Sequence, residues 1–321
     1  MKEIGIMEIG GFRVGHAQNL EAATGCTVVL CDRMSPAGLD VRGGGPASRE
    51  SQILSPTAVA EGINAVLLSG GSAFGLDAAG GVLRYLEEQG VGFDTGVAKV
   101  PLVSQSCLFD LGVGSKDVRP DDTMAYAACQ AASLDAPAQG NVGVGTGCSI
   151  GKYRGMSRAM KSGFGVCAYQ AGRVKVGALV AVNALGDVYG PDGTPLAGLL
   201  NQERTGLSST LEELLHDAVF ADHLFTGNTT LGVVVTNARL DKTRLTKVAG
   251  MTHNGYARAI RPVHTTADGD SIYALSLGDI PGDVNMVGTL AALAMERAIV
   301  RAVQSSPSAY GLIGWRELFG V

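Results

Sequence analysis

Short apolar runs along the chain have the length and composition of buried strands. Three of them are CTVVLC (26–31), NAVLLSGG (64–71), which runs into a glycine turn, and VKVGALVAVNALG (174–186), which ends in a turn. Two more, LGVVVTNA (231–238) and SIYALSLG (271–278), lie in the last third of the chain. Continuous runs rich in Val, Ile and Leu, bounded by turn residues, are typical of strands inside a core. The pattern therefore predicts at least five buried strands.

Helical periodicity separates these runs, and capping residues mark several helix boundaries. Ser209 and Glu212 form a capping box, and Gly90 ends the helix that follows the second strand. The predicted helices cover 72–90, 120–134, 208–224, the stretch that begins at 241–242, and 285–303. Strands alternating with helices predict an α/β layered fold, although the pattern does not determine the order of the strands.

Composition narrows the class of protein. The chain has 321 residues, 46% hydrophobic and 17% charged, which suits one large or two modest domains with a sizeable core. The 46 glycines cluster in short runs, which indicates tight loops between elements. A net charge of −5 argues against a nucleic-acid surface, and the single tryptophan, Trp315, argues against a base-stacking platform.

The ends of the chain and the cysteines bear on its location. The amino terminus has Glu3 in a broken apolar run, which is unlike a signal peptide, and the apolar carboxy-terminal segment carries Glu296, Arg297 and Arg301, which argues against a membrane span. The six cysteines form no CxxC pair, and the five histidines have no metal-ligand spacing. We therefore expect a reduced, cytoplasmic protein with no metal and no cofactor.

Two glycine-rich motifs invite a chemical interpretation that their spacing does not support. GGSAFG (70–75) is similar to a nucleophile elbow, but Phe74 occupies the place of the required glycine, so a tight strand-to-helix turn is favoured. GNVGVGTGCSIGKYRG (140–155) lacks the phosphate-binding loop pattern, because Lys152 is followed by Tyr153. Lys152 is then either a surface lysine or a lone cation in a close-packed loop.

The motif HTTADGD (264–270) places two carboxylates around one glycine. Most such triplets are β-turns. The twelve-residue calcium pattern is absent. Asp268 and Asp270 either form a turn, bind a cation, or orient an amine or a hydroxyl.

The tetrad GNTT (227–230), directly before a core strand, has two interpretations. One is a turn with Asn228 in a left-handed conformation. The other is self-cleavage, in which the Thr229 hydroxyl attacks the Asn228 carbonyl and an ester is then hydrolysed. The new amino-terminal threonine has its own α-amine as a base, with an ordinary pKa near 8 that suits neutral pH. The tetrad alone favours the turn.

These motifs together resemble the family of L-aminopeptidase/D-Ala-esterase/amidase, which includes β-peptidyl aminopeptidases and 6-aminohexanoate-oligomer hydrolase. The resemblance runs nearly end to end. It covers VGHAQNLEAATGCTVVL, DVRGGGPASRE, LLSGGSAFGLDAAGGV, VPLVSQSCLFDL, the glycine loop with Lys152, VAVNALGDV, GNTTLGVVVTNA and IRPVHTTADGDSIYALSLG. GNTT before a strand, with HT-x-x-DGD about forty residues later, is its most specific part.

The resemblance implies a four-layer α/β/β/α sandwich shared with ornithine acetyltransferase. It implies a single catalytic domain, 1–321, that cuts itself between Asn228 and Thr229 into an α piece (1–228) and a β piece (229–321), which stay folded together. It also implies a homo-oligomer of such αβ units.

The resemblance also implies roles for particular residues. Thr229 matches the nucleophile, and Asn183 matches the amide that stabilises the oxyanion. Lys152 matches a catalytic lysine, and Asp268 and Asp270 match paired carboxylates that hold the lysine or the new ammonium. Neighbouring aspartates favour a charged lysine, whereas burial favours a neutral one, so its protonation state stays open.

By analogy, Ser72, Phe74 and Phe109 line the substrate pocket. Phe109 stands where the nylon-oligomer hydrolase has a tyrosine, and Thr266 and Asp268 stand near a serine and a glutamate of the β-peptidyl enzymes. These departures argue against nylon-oligomer activity and against a β-peptide preference. The sequence therefore predicts an amino-terminal-threonine hydrolase that cuts short peptides or amino-acid amides through an acyl-threonine. An acyltransferase using the same acyl-enzyme, and an uncleaved non-catalytic scaffold, are the alternatives.

Overall fold

The computed structural model describes residues 1–217 and 227–321. The strands of its two main sheets are, in chain order, β1 Lys2–Ile4, β2 Phe12–Asn19, β3 Thr24–Ser35, β4 Ala37–Val41, β5 Ala47–Arg49, β6 Ile63–Ser69, β7 Val103–Cys107, β8 Phe164–Ala171, β9 Val174–Ala181, β10 Leu231–Ala238 and β11 Ser271–Ile280. The described helices are α1 Ala79–Glu88, α2 Asp122–Gln130, α3 Thr210–His216, α4 Lys242–Ala259, α5 Val284–Gln304 and α6 Trp315–Phe319.

Two sheets stack face to face, and helices cover their outer faces. The six-stranded sheet has the order β1-β8-β9-β10-β11-β4, and the five-stranded sheet has the order β2-β3-β6-β7-β5. The pairs β10–β11 and β6–β7 are parallel, and the other neighbours are antiparallel. One apolar core lies between the sheets. A second lies under α4 and α5, and a third under α1 and α2. The predicted α/β/β/α layering is confirmed.

Strand β10 shows why this architecture produces continuous apolar runs. Leu231, Val233 and Val235 point into the core between the sheets. Val234 and Ala238 point into the core under the helices. Successive side chains of a strand face opposite sides, so a sheet covered on both faces needs apolar residues at nearly every position.

The five predicted strands are all present, and in one of them the predicted turn begins earlier than the apolar pattern suggests. The run 174–186 leaves the sheet after Ala181, although Val182, Ala184 and Leu185 remain buried. An apolar pattern alone does not separate a buried strand from a buried loop. The difference is useful to the site, because the irregular segment after β9 carries Asn183.

The predicted helices differ from the observed ones mainly at their ends. The stretch 72–90 begins with a 3-10 turn, Ser72–Ala78, and only then becomes α1. Helix α3 begins as predicted, since Ser209 accepts a hydrogen bond from the backbone of Glu212 at 3.2 Å. The helix predicted to run on through 224 lies outside the described residues beyond 217. No described helix combines the length and apolarity needed to cross a membrane.

Candidate active site

The candidate site lies at one edge of the six-stranded sheet, where four neighbouring strands begin or end. Ala181 at the end of β9 pairs with Leu231 at the start of β10, and Leu231 pairs with Ser271 at the start of β11. Ser271 pairs in turn with Val41 at the end of β4. Segments far apart in sequence therefore meet directly outside these positions, and they carry Asn183, the GNTT tetrad and the DGD triplet.

The peptide bond between Asn228 and Thr229 is held at both of its polar atoms. The Thr229 N–H donates to the carbonyl oxygen of Asn183 at 2.9 Å, and the Asn228 carbonyl oxygen accepts from the Gly269 N–H at 3.0 Å. The Thr229 hydroxyl contacts that same Asn228 carbonyl oxygen. Thr229 is only 4% exposed. In the uncut chain the candidate nucleophile and the bond it would attack are thus fixed against each other and shielded from solvent.

Lys152 reaches this peptide bond from the glycine-rich loop. Its side chain is 1% exposed, and its Nζ donates to the carbonyl of Asn183 at 3.0 Å, to Asn183 Oδ1 at 2.9 Å and to the carbonyl of Gly227 at 2.9 Å. Burial lowers the pKa of Lys152 to about 7, against the attraction of nearby acidic groups, including Asp268. Only the ammonium has three N–H donors, so these three acceptors favour the charged form in the uncut chain.

The orientation of the Asn183 amide follows from two backbone contacts. Its Oδ1 accepts from the Ser149 N–H at 3.1 Å, and its Nδ2 donates to the carbonyl of Phe109 at 2.9 Å. A flipped amide would place donor against donor and acceptor against acceptor. The Asn183 side chain therefore faces Lys152 with its oxygen. The oxyanion role implied for its N–H groups stays a prediction.

The two aspartates of the DGD triplet hold the start of β10 and the loop that precedes β11. Asp270 Oδ1 accepts from the Thr230 N–H at 2.8 Å, and Oδ2 contacts the His264 ring Nδ1 at 2.8 Å. Asp268 Oδ2 accepts from the Thr265 N–H at 2.9 Å. Burial raises the pKa of Asp268, and the neighbouring Asp270 adds to this effect. Both carboxylates are thus engaged in fixing the loop and the start of β10.

The glycine run after β4 forms a close-fitting support for this loop. The Gly45 N–H donates to the carbonyl of Asp268 at 2.8 Å. A Cβ on Gly43 would lie 2.3 Å from that same carbonyl oxygen, and a Cβ on Gly44 would lie 2.7 Å from the Thr266 Cα. Side chains at these two positions would push the triplet away from Thr229.

The predicted pocket residues are placed at different distances from the chemistry. Phe109 adjoins the site, because its carbonyl binds Asn183. Ser72 is linked to the segment before Phe109, since its N–H donates to the carbonyl of Leu108 at 2.9 Å. Phe74 is 60% exposed, with the guanidinium of Arg119 3.9 Å from its ring centre. The structure brings Thr229, Asn183, Lys152, Asp268 and Asp270 together and leaves Phe74 on the surface.

Sequence reasoning missed three participants. A glycine between two acids is an ordinary turn signal, no pattern distinguishes Ser149, and His264 is one of five isolated histidines. The HTTADGD motif did contain both Gly269 and His264, but only the structure shows which partners they contact. Among residues 1–217 and 227–321, no three His, Cys, Asp or Glu side chains form a group that could hold a metal ion.

A four-layer sandwich with a buried threonine, lysine and amide around one peptide group is the arrangement expected of a hydrolase of amide bonds. The chain belongs to peptidase family S58, whose model matches residues 5–315. An uncharacterized aminopeptidase of Mycobacterium tuberculosis is 37% identical over 98% of this chain and 97% of its own length. The 6-aminohexanoate-oligomer endohydrolase of an Agromyces species is 30% identical over 84% of this chain and 74% of its own length. The family predicted from the motifs, and hydrolase activity, are confirmed.

Solved structures show the same fold at low sequence identity. The L-aminopeptidase D-Ala-esterase/amidase of Ochrobactrum anthropi, described as a variant of the Ntn hydrolase fold, matches with a TM-score of 0.71 at 16% identity, covering 98% of this chain and 91% of the other. A Burkholderia β-aminopeptidase matches with a TM-score of 0.70 at 18% identity, with the same coverage.

Proposed function

We propose that this family S58 hydrolase activates itself by cutting between Asn228 and Thr229 and then uses Thr229 as an amino-terminal nucleophile. One observation carries the proposal. The Thr229 hydroxyl contacts the carbonyl of the very peptide bond whose nitrogen is held by Asn183. A nucleophile and its target fixed together in a buried site have the arrangement that makes an intramolecular reaction fast.

The cut proceeds in two steps, an acyl shift and the hydrolysis of an ester. The Thr229 hydroxyl oxygen bonds to the Asn228 carbonyl carbon, the bond from that carbon to the Thr229 nitrogen breaks, and the hydroxyl proton passes to the departing nitrogen. The product is an ester of Asn228 on Thr229. Water then hydrolyses the ester, leaving a carboxylate on Asn228 and a free hydroxyl and α-amine on Thr229.

The new α-amine is well placed to serve as the base in turnover. The Thr229 nitrogen and Lys152 Nζ donate to the same oxygen, the carbonyl of Asn183, at 2.9 and 3.0 Å. Two ammonium groups this close disfavour each other, so one of them loses its proton more readily. When Lys152 keeps its proton, the α-amine is the neutral member of the pair and accepts the proton of the Thr229 hydroxyl as it attacks a substrate.

The substrate class follows from the family and from the site. We propose short peptides and amino-acid amides with a free amino terminus, cut after the first residue. The relatives named aminopeptidases support this class. Phe109 supplies no phenolic hydroxyl at the pocket, so nylon oligomers are not expected as substrates. Both oxygens of Asp270 bind backbone or His264, whereas Asp268 binds Thr265 through Oδ2. We therefore assign recognition of the substrate amine to Asp268.

Intact-mass spectrometry of the purified protein tests the proposal. We expect the wild type to give two pieces, residues 1–228 and 229–321, and Thr229→Ala to give one uncut chain. Thr229→Ser keeps a hydroxyl and should still cut. A folded wild-type chain that stays whole after long incubation would contradict the proposal and leave the scaffold alternative.

Once cutting is established, aminoacyl amides test turnover. The cut enzyme should release the free amino acid from them, and the same amides blocked by N-acetylation should react far more slowly. Products formed only when an amine acceptor such as hydroxylamine is added would indicate acyl transfer instead of hydrolysis.

A further inference from the structure

We propose that Gly269 is a catalytic residue of the self-cleavage step. Its backbone N–H stabilises the negative charge that develops on the Asn228 carbonyl oxygen, and its missing side chain leaves room for the Thr229 hydroxyl. The inference rests on the proposed cut between Asn228 and Thr229. It names the group that stabilises the oxyanion of that cut, which differs from the Asn183 amide implied for turnover.

The register between β10 and β11 places the Gly269 N–H against the Asn228 carbonyl. Parallel pairing of β10 with β11 continues beyond the strands, since Asn228 and Asp268 form a parallel bridge. Within this continuation the Gly269 N–H donates to the Asn228 carbonyl at 3.0 Å, just as the Ser271 N–H donates to the Thr230 carbonyl at 3.2 Å. A ladder hydrogen bond therefore falls on the carbonyl that Thr229 attacks.

Burial makes this single hydrogen bond effective. Asn228 is 1% exposed and Gly269 is buried, so water does not compete for the carbonyl oxygen. As the Thr229 oxygen adds to the carbon, the carbonyl oxygen gains a full negative charge and its hydrogen bond strengthens. A donor already in place needs no reorganisation when the charge appears.

The absence of a side chain at position 269 is a separate requirement. A Cβ there would lie 2.6 Å from Thr229 Oγ1, 2.9 Å from the carbonyl oxygen of Gly45 and 3.3 Å from Thr229 Cγ2. Real Cβ atoms do not approach other atoms as closely as the first two of these distances, so the Thr229 hydroxyl and the Gly45 backbone would both have to move. Gly45, in the supporting run, has no such neighbour: the atoms nearest to its Cβ lie 3.8 and 4.0 Å away.

Replacing one N–H by oxygen tests the donor directly. Cell-free translation with a suppressor tRNA that carries glycolic acid turns the backbone amide at residue 269 into an ester. The same exchange at residue 45 removes the N–H that donates to the Asp268 carbonyl. That hydrogen bond lies next to residue 269 in the chain but does not involve Asn228. We expect the ester at 269 to slow self-cleavage by about 100-fold or more, the typical effect of one oxyanion donor, and the ester at 45 to cut within about threefold of wild type.

The outcomes separate this inference from the proposed function. Equal rates for the two esters, whether both fast or both slow, would overturn the role of the Gly269 N–H while leaving self-cleavage established by the wild type in the same reaction. A wild type that stays whole would overturn both. Spontaneous hydrolysis of the introduced ester is recognised by mass, because it breaks the chain before residue 269 or 45 and not before 229.

Alanine variants test the space requirement. Gly269→Ala should remain an uncut chain with a cooperative thermal transition, whereas Gly45→Ala should cut at close to the wild-type rate. If Gly269→Ala cuts as fast as Gly45→Ala, the missing side chain has no part in the reaction.

Discussion

Two lysines of this chain are buried in the same manner but in different places. Lys152 donates to Asn183 and Gly227, at the bond to be cut. Lys161 donates to three carbonyl oxygens, those of Gly145 and Cys148 in the glycine-rich loop and that of the adjacent Ser162. Burial lowers the pKa of Lys161 to about 8, much as it lowers that of Lys152 to about 7. Comparing the two lysines therefore distinguishes the effect of burying a lysine from the effect of placing it next to Thr229.

Replacing each lysine by methionine should distinguish these two roles. Lys152→Met removes the proton-carrying group that shares the Asn183 carbonyl with the Thr229 nitrogen, and we expect self-cleavage to slow by roughly 100-fold or more. Both substitutions should lower the midpoint of thermal unfolding by a similar amount. Folded Lys161→Met molecules, however, should cut at close to the wild-type rate. Time courses by mass spectrometry measure this. Equal cleavage rates for the two variants would remove Lys152 from the chemistry.

At the scale of elements, glycines determine how closely the helices approach one another. Gly81 in α1 lies against α2, where an added Cβ would come within 1.9 Å of the Asp122 carbonyl oxygen and 2.7 Å of the Tyr126 nitrogen. The adjacent Gly80 has only the Asp122 Cβ near it, at 3.7 Å. Neither glycine has a positive φ, so space alone distinguishes the two positions.

Alanine at these adjacent positions should therefore have opposite effects on stability. Gly81→Ala forces α1 and α2 apart and should reduce the free energy of unfolding by about 1–3 kcal/mol. Gly80→Ala gains helix propensity and should change it by less than about 1 kcal/mol, in the stabilising direction. Urea unfolding of both variants in the Thr229→Ala background, where cleavage does not interfere, measures the difference. A Gly81→Ala chain as stable as Gly80→Ala would mean that the helices separate at no cost.

Local pattern was sufficient for elements whose apolar residues and caps are close together in sequence. The strand predicted at 231–238 has these same bounds in the structure, and Ser209 is the predicted cap of α3. The pairing of distant strands could not be predicted, because the residues of a strand do not specify which other strand lies beside it. The end of β9 was missed for a related reason: the buried loop after Ala181 is as apolar as the strand.

The site divides in the same way. The family resemblance located Thr229, Lys152, Asn183 and the two aspartates, and the structure brings them to one sheet edge. Gly269 escaped sequence reasoning because a glycine between two aspartates is an ordinary turn signal. Its role depends on a hydrogen bond to Asn228 that exists only once two distant strands have paired in one register.

At the scale of the whole molecule, the proposed cut divides the chain but not the sheet. Strands β10 and β11 follow residue 229, yet they lie between β9 and β4, which both precede it. Helices α4 and α5 also belong to the second piece, and they share a core with strands of the first. Each piece therefore supplies the hydrogen-bond partners and the apolar cover of the other.

We expect the two pieces to remain associated after cutting. Size-exclusion chromatography of the cut protein should give one peak that contains both pieces, and its elution volume also tests the predicted homo-oligomer. Denaturant should release the pieces only across the same transition that unfolds the protein. Separation of the pieces in native buffer would show that the interleaved strands do not hold them.

The position of β11 in the six-stranded sheet also determines when, during synthesis and folding, the proposed self-cleavage can begin. The groups that flank the Asn228–Thr229 bond, Gly269 and Asp270, are translated after the bond itself, and they reach it only when β11 has joined β10. Under the proposed cut, a polypeptide released by the ribosome before residue 271 should keep an unbroken bond and have no free amino-terminal threonine. The proposal therefore makes activation depend on synthesis through β11 and on correct folding, so that a shorter product should be inert toward other peptides.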